Sequence, residues 1–386
     1  MKKTILALAL TISVGAISSC SQKDSYVSKK NLKEVCDSMD MMFPEDAPGA
    51  ALLIMQKDSV ILTKCCGWGD IVTKDPITPE TNFCLASISK QFTAVAILKL
   101  CEQGKMSLDD KVRSFFPQFT DTIWNKITVR QLLSHSSGLP DARNGYTYLQ
   151  RVYGNDDRSV EFFDSLNTLS SQPGTTFLYN NPAYVLAGKI IEKVSGEPFA
   201  DFMRKNILDP AGMKNSQYFE FTANEITAEE ITAEEQPIIN MAHGYVDNGK
   251  GWEEKDFGED TFFATRPDGG LYSSVSDMAL WEKALHSGIL MKDEVLKQAW
   301  VPQISVSESE MPSSENHLAT GYGLGWFIEE STDKSGTVYY HEGVNGGFRN
   351  IVARYSEQEI MIVLLSVRPY VSQYEYLQKI EAILGL

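Results

Sequence analysis

Strand-forming segments at both ends of the chain, separated by a long helical stretch, constrain this fold more than any other feature. Near the start, Ala50–Gln56 and residues 59–65 read as two strands joined at Lys57-Asp58. Near the end, residues 322–329, 337–341, 348–355 and 359–367 read as consecutive strands, with turns at 333–336 and 356–358. Helical spacing precedes the first pair at 31–42, with Leu32, Val35, Met39 and Met42 on one side, and returns at 368–386. A sheet whose strands come from both ends must close around whatever lies between them. The expectation is α+β: one antiparallel sheet built from both chain ends, terminal helices over one face, and a mostly helical lobe from about 105 to 310.

The helix expected at 87–102 is apolar on every side, with Phe92, Ala94, Val95, Ala96, Ile97, Leu98 and Leu100, and Gly104 stops it. A helix without a polar face is a buried one. Lys90 is therefore a cation placed inside the protein, one turn from Ser87 on the same face.

The first residues carry an address. Lys2 and Lys3 precede an apolar run from Ile5 to Ile17, then Ser18, Ser19 and Cys20. That run is shorter than the about 20 residues a spanning helix needs, and it has the form of a secretory signal. The ending at Cys20 is similar to a bacterial lipobox, which makes Cys20 the lipidation site; the plain alternative is a cleaved signal with an incidental cysteine. The expectation is a signal at 1–19, a polar tether at 20–30 and an exported domain at 31–386, held by lipid in a bacterial cell envelope, periplasmic or surface-facing. Five other cysteines remain (Cys36, Cys65, Cys66, Cys84, Cys101), an odd number that cannot all pair, and without metal-ligand spacing. They read as small buried side chains; neither metal nor cofactor is expected.

Lys+Arg of 35 against Asp+Glu of 51 gives a net charge of −16. A nucleic-acid backbone would repel such a surface. The tandem ITAEE at 226–230 and 231–235 is acidic and reads as a solvated surface insertion.

G-x-S-x-G, H-E-x-x-H, P-loop and dinucleotide signatures are absent from the sequence. S-x-x-K occurs twice. Ser331 to Lys334 falls in a polar turn, where the lysine would stay solvated; Ser87 to Lys90 opens the buried helix. There, desolvation disfavours the ammonium and lets Lys90 take the Ser87 proton, while a helix start offers an unpaired backbone N–H to an oxyanion. Tyr179-Asn180-Asn181, in a loop before a helix at 183–194, supplies a phenol that can relay a proton. His341-Glu342-Gly343 leads into Asn345-Gly346-Gly347, where backbone can come close to a ligand. Tyr153-Gly154-Asn155 and His286-Ser287-Gly288 repeat the last two patterns without those settings.

S-x-x-K, Y-x-N and H-x-G in that order, with Tyr179 92 positions after Ser87 and 162 before His341, resemble the penicillin-recognising serine hydrolases. The branch resembled contains class C β-lactamases, D-Ala-D-Ala carboxypeptidases, D-aminopeptidases and related esterases. Residues 132–140, 269–274 and 190–196 are similar as well, and the likeness covers roughly 30–385. It implies Ser87 as acylated nucleophile, Lys90 and Tyr179 as the proton-handling pair, and Asn181 on the substrate amide. It also implies an oxyanion hole from the N–H groups of Ser87 and Val344, with His341 and Gly343 lining the substrate cleft.

Two positions depart from the pattern. The β-lactamase branch carries lysine where His341 stands, and a largely neutral imidazole clamps a carboxylate less firmly. Gly269 replaces a common aromatic rim residue. Glu342 adds negative charge unless strand alternation turns it to the opposite face. His135 reads as a structural turn residue, and Arg349 and Arg368 are weaker carboxylate anchors. The resemblance thus implies a serine acyl hydrolase of D-amino-acid amides or peptides, or of small esters. The alternatives are a class C-like β-lactamase and a non-catalytic, penicillin-binding-like sensor of cell-wall fragments.

Overall fold

The computed structural model describes residues 27–141, 156–219, 221–226, 231–235, 238–256, 265–307, 319–330, 336–369 and 372–386. The signal, Cys20, the Ser331–Lys334 repeat and Tyr153 to Asn155 lie outside them. Eight antiparallel strands form the main sheet in the order Ile304–Ser305, Gly321–Tyr322, Phe327–Glu330, Thr337–Asn345, Phe348–Tyr355, Ile360–Ser366, Ala50–Gln56, Ser59–Cys66. The last long strand pairs with the first along its whole length, Ala50 opposite Ser366 and Gln56 opposite Ile360, so the two chain ends do build one sheet.

Alternation sorts the residues of these strands between two cores. Ala50, Leu52, Ile54, Ile362 and Leu364 pack under the terminal helices Lys29–Met42 and Gln373–Leu384, with Val35, Met39, Tyr376 and Ile380. Ala51, Leu53, Met55, Met361, Val363 and Leu365 face the other way, onto the buried helix and the helical lobe. Burial on both faces explains why AALLIM and IMIVLL read as continuous apolar runs. The first helix starts at Lys29, with Ser28 accepting the Asn31 N–H, so it takes the end of the expected tether.

The strand expected at 322–329 is broken. Gly321–Tyr322 and Phe327–Glu330 flank a turn at Gly323 to Gly325. Gly325 has φ +92, and a Cβ there would lie 3.1 Å from the Lys90 carbonyl, so the turn reaches down onto the buried helix. The strand after it runs to Asn345, past the expected end at His341. The middle of the chain also holds strands that were not expected. Phe83–Cys84, Leu271–Ser273 and Gln217–Tyr218 form a small sheet, and Tyr245–Asp247 pairs with Trp252–Glu254. The second ITAEE copy is the strand Ile231–Glu235, paired with Phe221–Ile226.

Candidate active site

Ser87 sits in a three-ten turn, Ala86–Ile88, and the α-helix begins two residues after it, at Ser89. Ala86 has φ +47, a conformation that costs a side-chain-bearing residue about 1–2 kcal/mol. From Thr81 to Leu98 every residue is buried except Ser87. The chain thus exposes one hydroxyl from an otherwise sealed segment.

Lys90 is fully buried. Its Nζ lies 3.0 Å from Ser87 Oγ and donates to the Asp268 carbonyl at 2.8 Å. It also stands 5.0 Å from the centre of the Tyr179 ring and 5.6 Å from that of Tyr184. The segment supplying that carbonyl is stitched to the helix: Thr93 donates to Pro267 O at 2.7 Å, and Leu271 N–H donates to Ser89 Oγ at 3.2 Å. Gly188, on the helix that starts beside Tyr179, has no room for a side chain, since a Cβ would lie 2.1 Å from Pro267.

Tyr179 is half-buried, and its ring packs against His135 at 4.2 Å and, more distantly, Phe327 and His341. The two asparagines after it divide the work. Asn180 is buried and caps the helix Asn181–Ser195, accepting from Ala183 N–H at 2.9 Å, while its amide donates to Leu139 O at 2.9 Å. Asn181 opens that helix half-buried, next to Tyr179. The structural role of Asn180 was hidden in the sequence because either asparagine suits a cap.

The strand Thr337–Asn345 passes against the Ser87 turn. A Cβ on Gly343 would stand 2.0 Å from the Leu85 carbonyl, so glycine is what permits this contact. Val344 follows with its side chain 43% exposed. His341 is fully buried. Its Nδ1 lies 2.7 Å from the Glu342 carbonyl, which can only accept, so Nδ1 carries the proton and Nε2 accepts from Tyr322 O–H at 3.0 Å. Both ring nitrogens are thus used internally. Burial first, then the Lys90 charge, pushes the pKa of His341 down to about 3.

Glu342 does turn to the opposite face, accepting from Gln373 at 2.7 Å, and burial pushes its carboxyl up to about 6. Arg349 donates to the carbonyls of Gly346 and Phe348, and Arg368 to that of Met42. Arg349 thus braces the turn at Gly346, and Arg368 the end of the first helix. Asn350, without a sequence signal, ties the Cys84 carbonyl to the sheet at 2.8 Å. The five cysteines are free thiols. Burial pushes Cys84 up to about 11, so it stays a thiol at neutral pH.

Among the described residues one group has metal-ligand geometry: His243, Glu254 and Asp256, with ligand atoms within 4.8 Å of one another. The imidazole already hydrogen-bonds Asp256 at 2.8 Å, and that bond together with the surrounding carboxylates raises its pKa to about 9. None of the three is among the residues gathered around Ser87.

A serine with a buried lysine at hydrogen-bond distance, inside this sheet-and-helical-lobe fold, defines a class of serine hydrolases. The Beta-lactamase family model matches residues 40–383, and the chain belongs to that family. It is similar to penicillin-binding protein 4* of Bacillus subtilis (strain 168), 30% identical over 326 residues, which cover 80% of this chain and 66% of the relative. The chain thus spans about two thirds of that protein's length. An octameric penicillin-binding protein homologue from Pyrococcus abyssi superposes with a TM-score of 0.72 at 26% identity, covering 92% of this chain and 77% of that one. D-amino acid amidase from Ochrobactrum anthropi SV3 has the same fold, with a TM-score of 0.73 at 22% identity over 92% of this chain and 99% of that one. Among the described residues no helix is long and apolar enough to cross a membrane.

Proposed function

We propose that this serine hydrolase works through a Ser87 acyl-enzyme on amides or peptides of D-amino acids, or on small esters. The observation that carries the reading is the fully buried Lys90 with Nζ 3.0 Å from Ser87 Oγ. Ser87 Oγ attacks the acyl carbon while its proton passes to the Lys90–Tyr179 pair. The carbonyl oxygen becomes an oxyanion facing the N–H groups of Ser87 and Val344. Collapse breaks the bond to the amine or alcohol, which leaves with the relayed proton, and water then frees the acid and restores the serine. Asn181 orients the substrate amide; Gly343 sets the width of the cleft; His341 holds the strand in place from behind. The amidase fold and the penicillin-binding relatives support this substrate class. Export and lipidation at Cys20 place the activity in the cell envelope in this reading, where cell-wall peptides are the natural substrates.

A panel of D-amino-acid p-nitroanilides and p-nitrophenyl esters tests it with wild type and Ser87→Ala. Turnover is expected on at least one compound, with a loss of about 10⁴-fold in the variant. Wild-type rates in Ser87→Ala on every active substrate contradict the mechanism. Efficient nitrocefin turnover makes the protein a β-lactamase instead, and failure of all acylating probes favours the sensor.

A further inference from the structure

We propose that His135 is a positioning residue for Tyr179, acting through a ring nitrogen that accepts the backbone N–H immediately after the phenol; this rests on the role of Tyr179 given above. Three contacts converge on that one residue. The His135 carbonyl accepts Leu178 N–H at 2.7 Å, its Nδ1 accepts Asn180 N–H at 3.0 Å, and its ring lies 4.2 Å from that of Tyr179 at 36°. The backbone on both sides of Tyr179 and one face of its ring are therefore held by a single side chain and its own peptide.

The turn is built to deliver this. His135 adopts φ +53, unusual for a residue with a side chain, and is fully buried. The same turn grips the loop upstream, where Ser136 O accepts Gly174 N–H at 2.7 Å and Gly138 O accepts Ser170 N–H at 2.8 Å. Accepting at Nδ1 requires the neutral ring with its proton on Nε2. That nitrogen has no hydrogen-bond partner among the described residues and is enclosed by the rings of Tyr184 and Tyr322, at 5.1 and 4.9 Å. Burial and the charge of Lys90 both oppose a second proton, so the acceptor persists at neutral pH.

The experiment separates the acceptor from the bulk. In His135→Asn the amide oxygen occupies the place of Nδ1, and asparagine tolerates positive φ. In His135→Gln the polar group moves out to the place of Nε2 and the acceptor is lost. With p-nitrophenyl acetate, corrected for the Ser87→Ala rate, His135→Gln is expected to lower kcat tenfold to a hundredfold with KM changed less than about twofold, as for a misplaced catalytic group. His135→Asn should stay within about threefold of wild type. Thermal unfolding checks that both variants fold. Equal kcat in the two folded variants overturns the proposal. If His135→Gln does not fold, a folded His135→Asn with more than a tenfold kcat loss overturns it. Tyr179→Phe guards the premise: full activity there refutes the role of Tyr179 itself, whereas an impaired Tyr179→Phe beside an unimpaired His135→Gln refutes only the positioning.

Discussion

Three histidines stand in two environments and differ in charge, two of them neutral and one cationic. His135 and His341 lie in the interior beside Lys90, enclosed by Tyr179, Tyr184, Tyr322 and Phe327. Burial and the lysine push both imidazoles down, His341 to about 3. His243 stands at the base of the 245–254 hairpin among Asp256, Glu254 and Asp70, whose charges hold its proton up to about pH 9. The contrast teaches what the interior is arranged to exclude. Where carboxylates surround the ring, the cation is kept. Beside Lys90 the rings stay neutral and serve as fixed donors and acceptors, so neither imidazole adds a second positive charge to the one the Lys90–Tyr179 pair takes up with the Ser87 proton.

That contrast can be broken most severely by forcing a charge into the interior. Phe327→Lys puts an ammonium into the buried place between the rings of Tyr322, Tyr340 and His341, and should destabilise the fold by about 3–5 kcal/mol in urea denaturation. Wild-type stability in that variant would show the interior to be wetter than the burial of Phe327 implies. Removing a single partner is milder. Tyr322→Phe takes away the donor to His341 Nε2 and should cost about 1–3 kcal/mol, the range for an acceptor left unsatisfied in a buried place; no loss would mean that the imidazole finds another donor.

At the rim the effect is smallest and depends on pH. The folded pKa of His243 lies above its ordinary 6.5, so its contribution is complete below about 6.5 and disappears as pH rises through about 9. Asp256→Asn keeps an oxygen for the Gly244 N–H and loses the charge. It should cost about 1 kcal/mol at pH 6 and nothing measurable at pH 10. Equal cost at both values would assign the loss to packing.

Much of this was legible in the sequence because it rested on periodicity or on a residue out of place. The apolar helix with Lys90 inside it, the hairpin at Lys57-Asp58 and the pairing of the chain ends all follow from patterns long enough to read. Phe83–Cys84, Leu271–Ser273 and Gln217–Tyr218 are two or three residues each, too short for alternation to register, yet they hold the Ser87 turn. The break at Gly323 to Gly325 was hidden because the flanking residues remain strand-like. The partners of His341 and His135 were illegible for a different reason. A histidine's two nitrogens are committed by backbone carbonyls and amides that come from anywhere in the chain, such as Asn180 N–H, 45 positions from His135. His243 and Asp256, 13 positions apart, meet only because a hairpin closes between them.

The central claim, that Ser87 is acylated with the help of the buried lysine beside it, is open to intact-mass spectrometry after exposure to a fluorophosphonate and, separately, to benzylpenicillin. A single adduct mapping to the peptide containing Ser87, absent in Ser87→Ala and formed far more slowly in Lys90→Ala, is the predicted result. An adduct on another residue, or one that forms on Ser87 at an unchanged rate without Lys90, would contradict it.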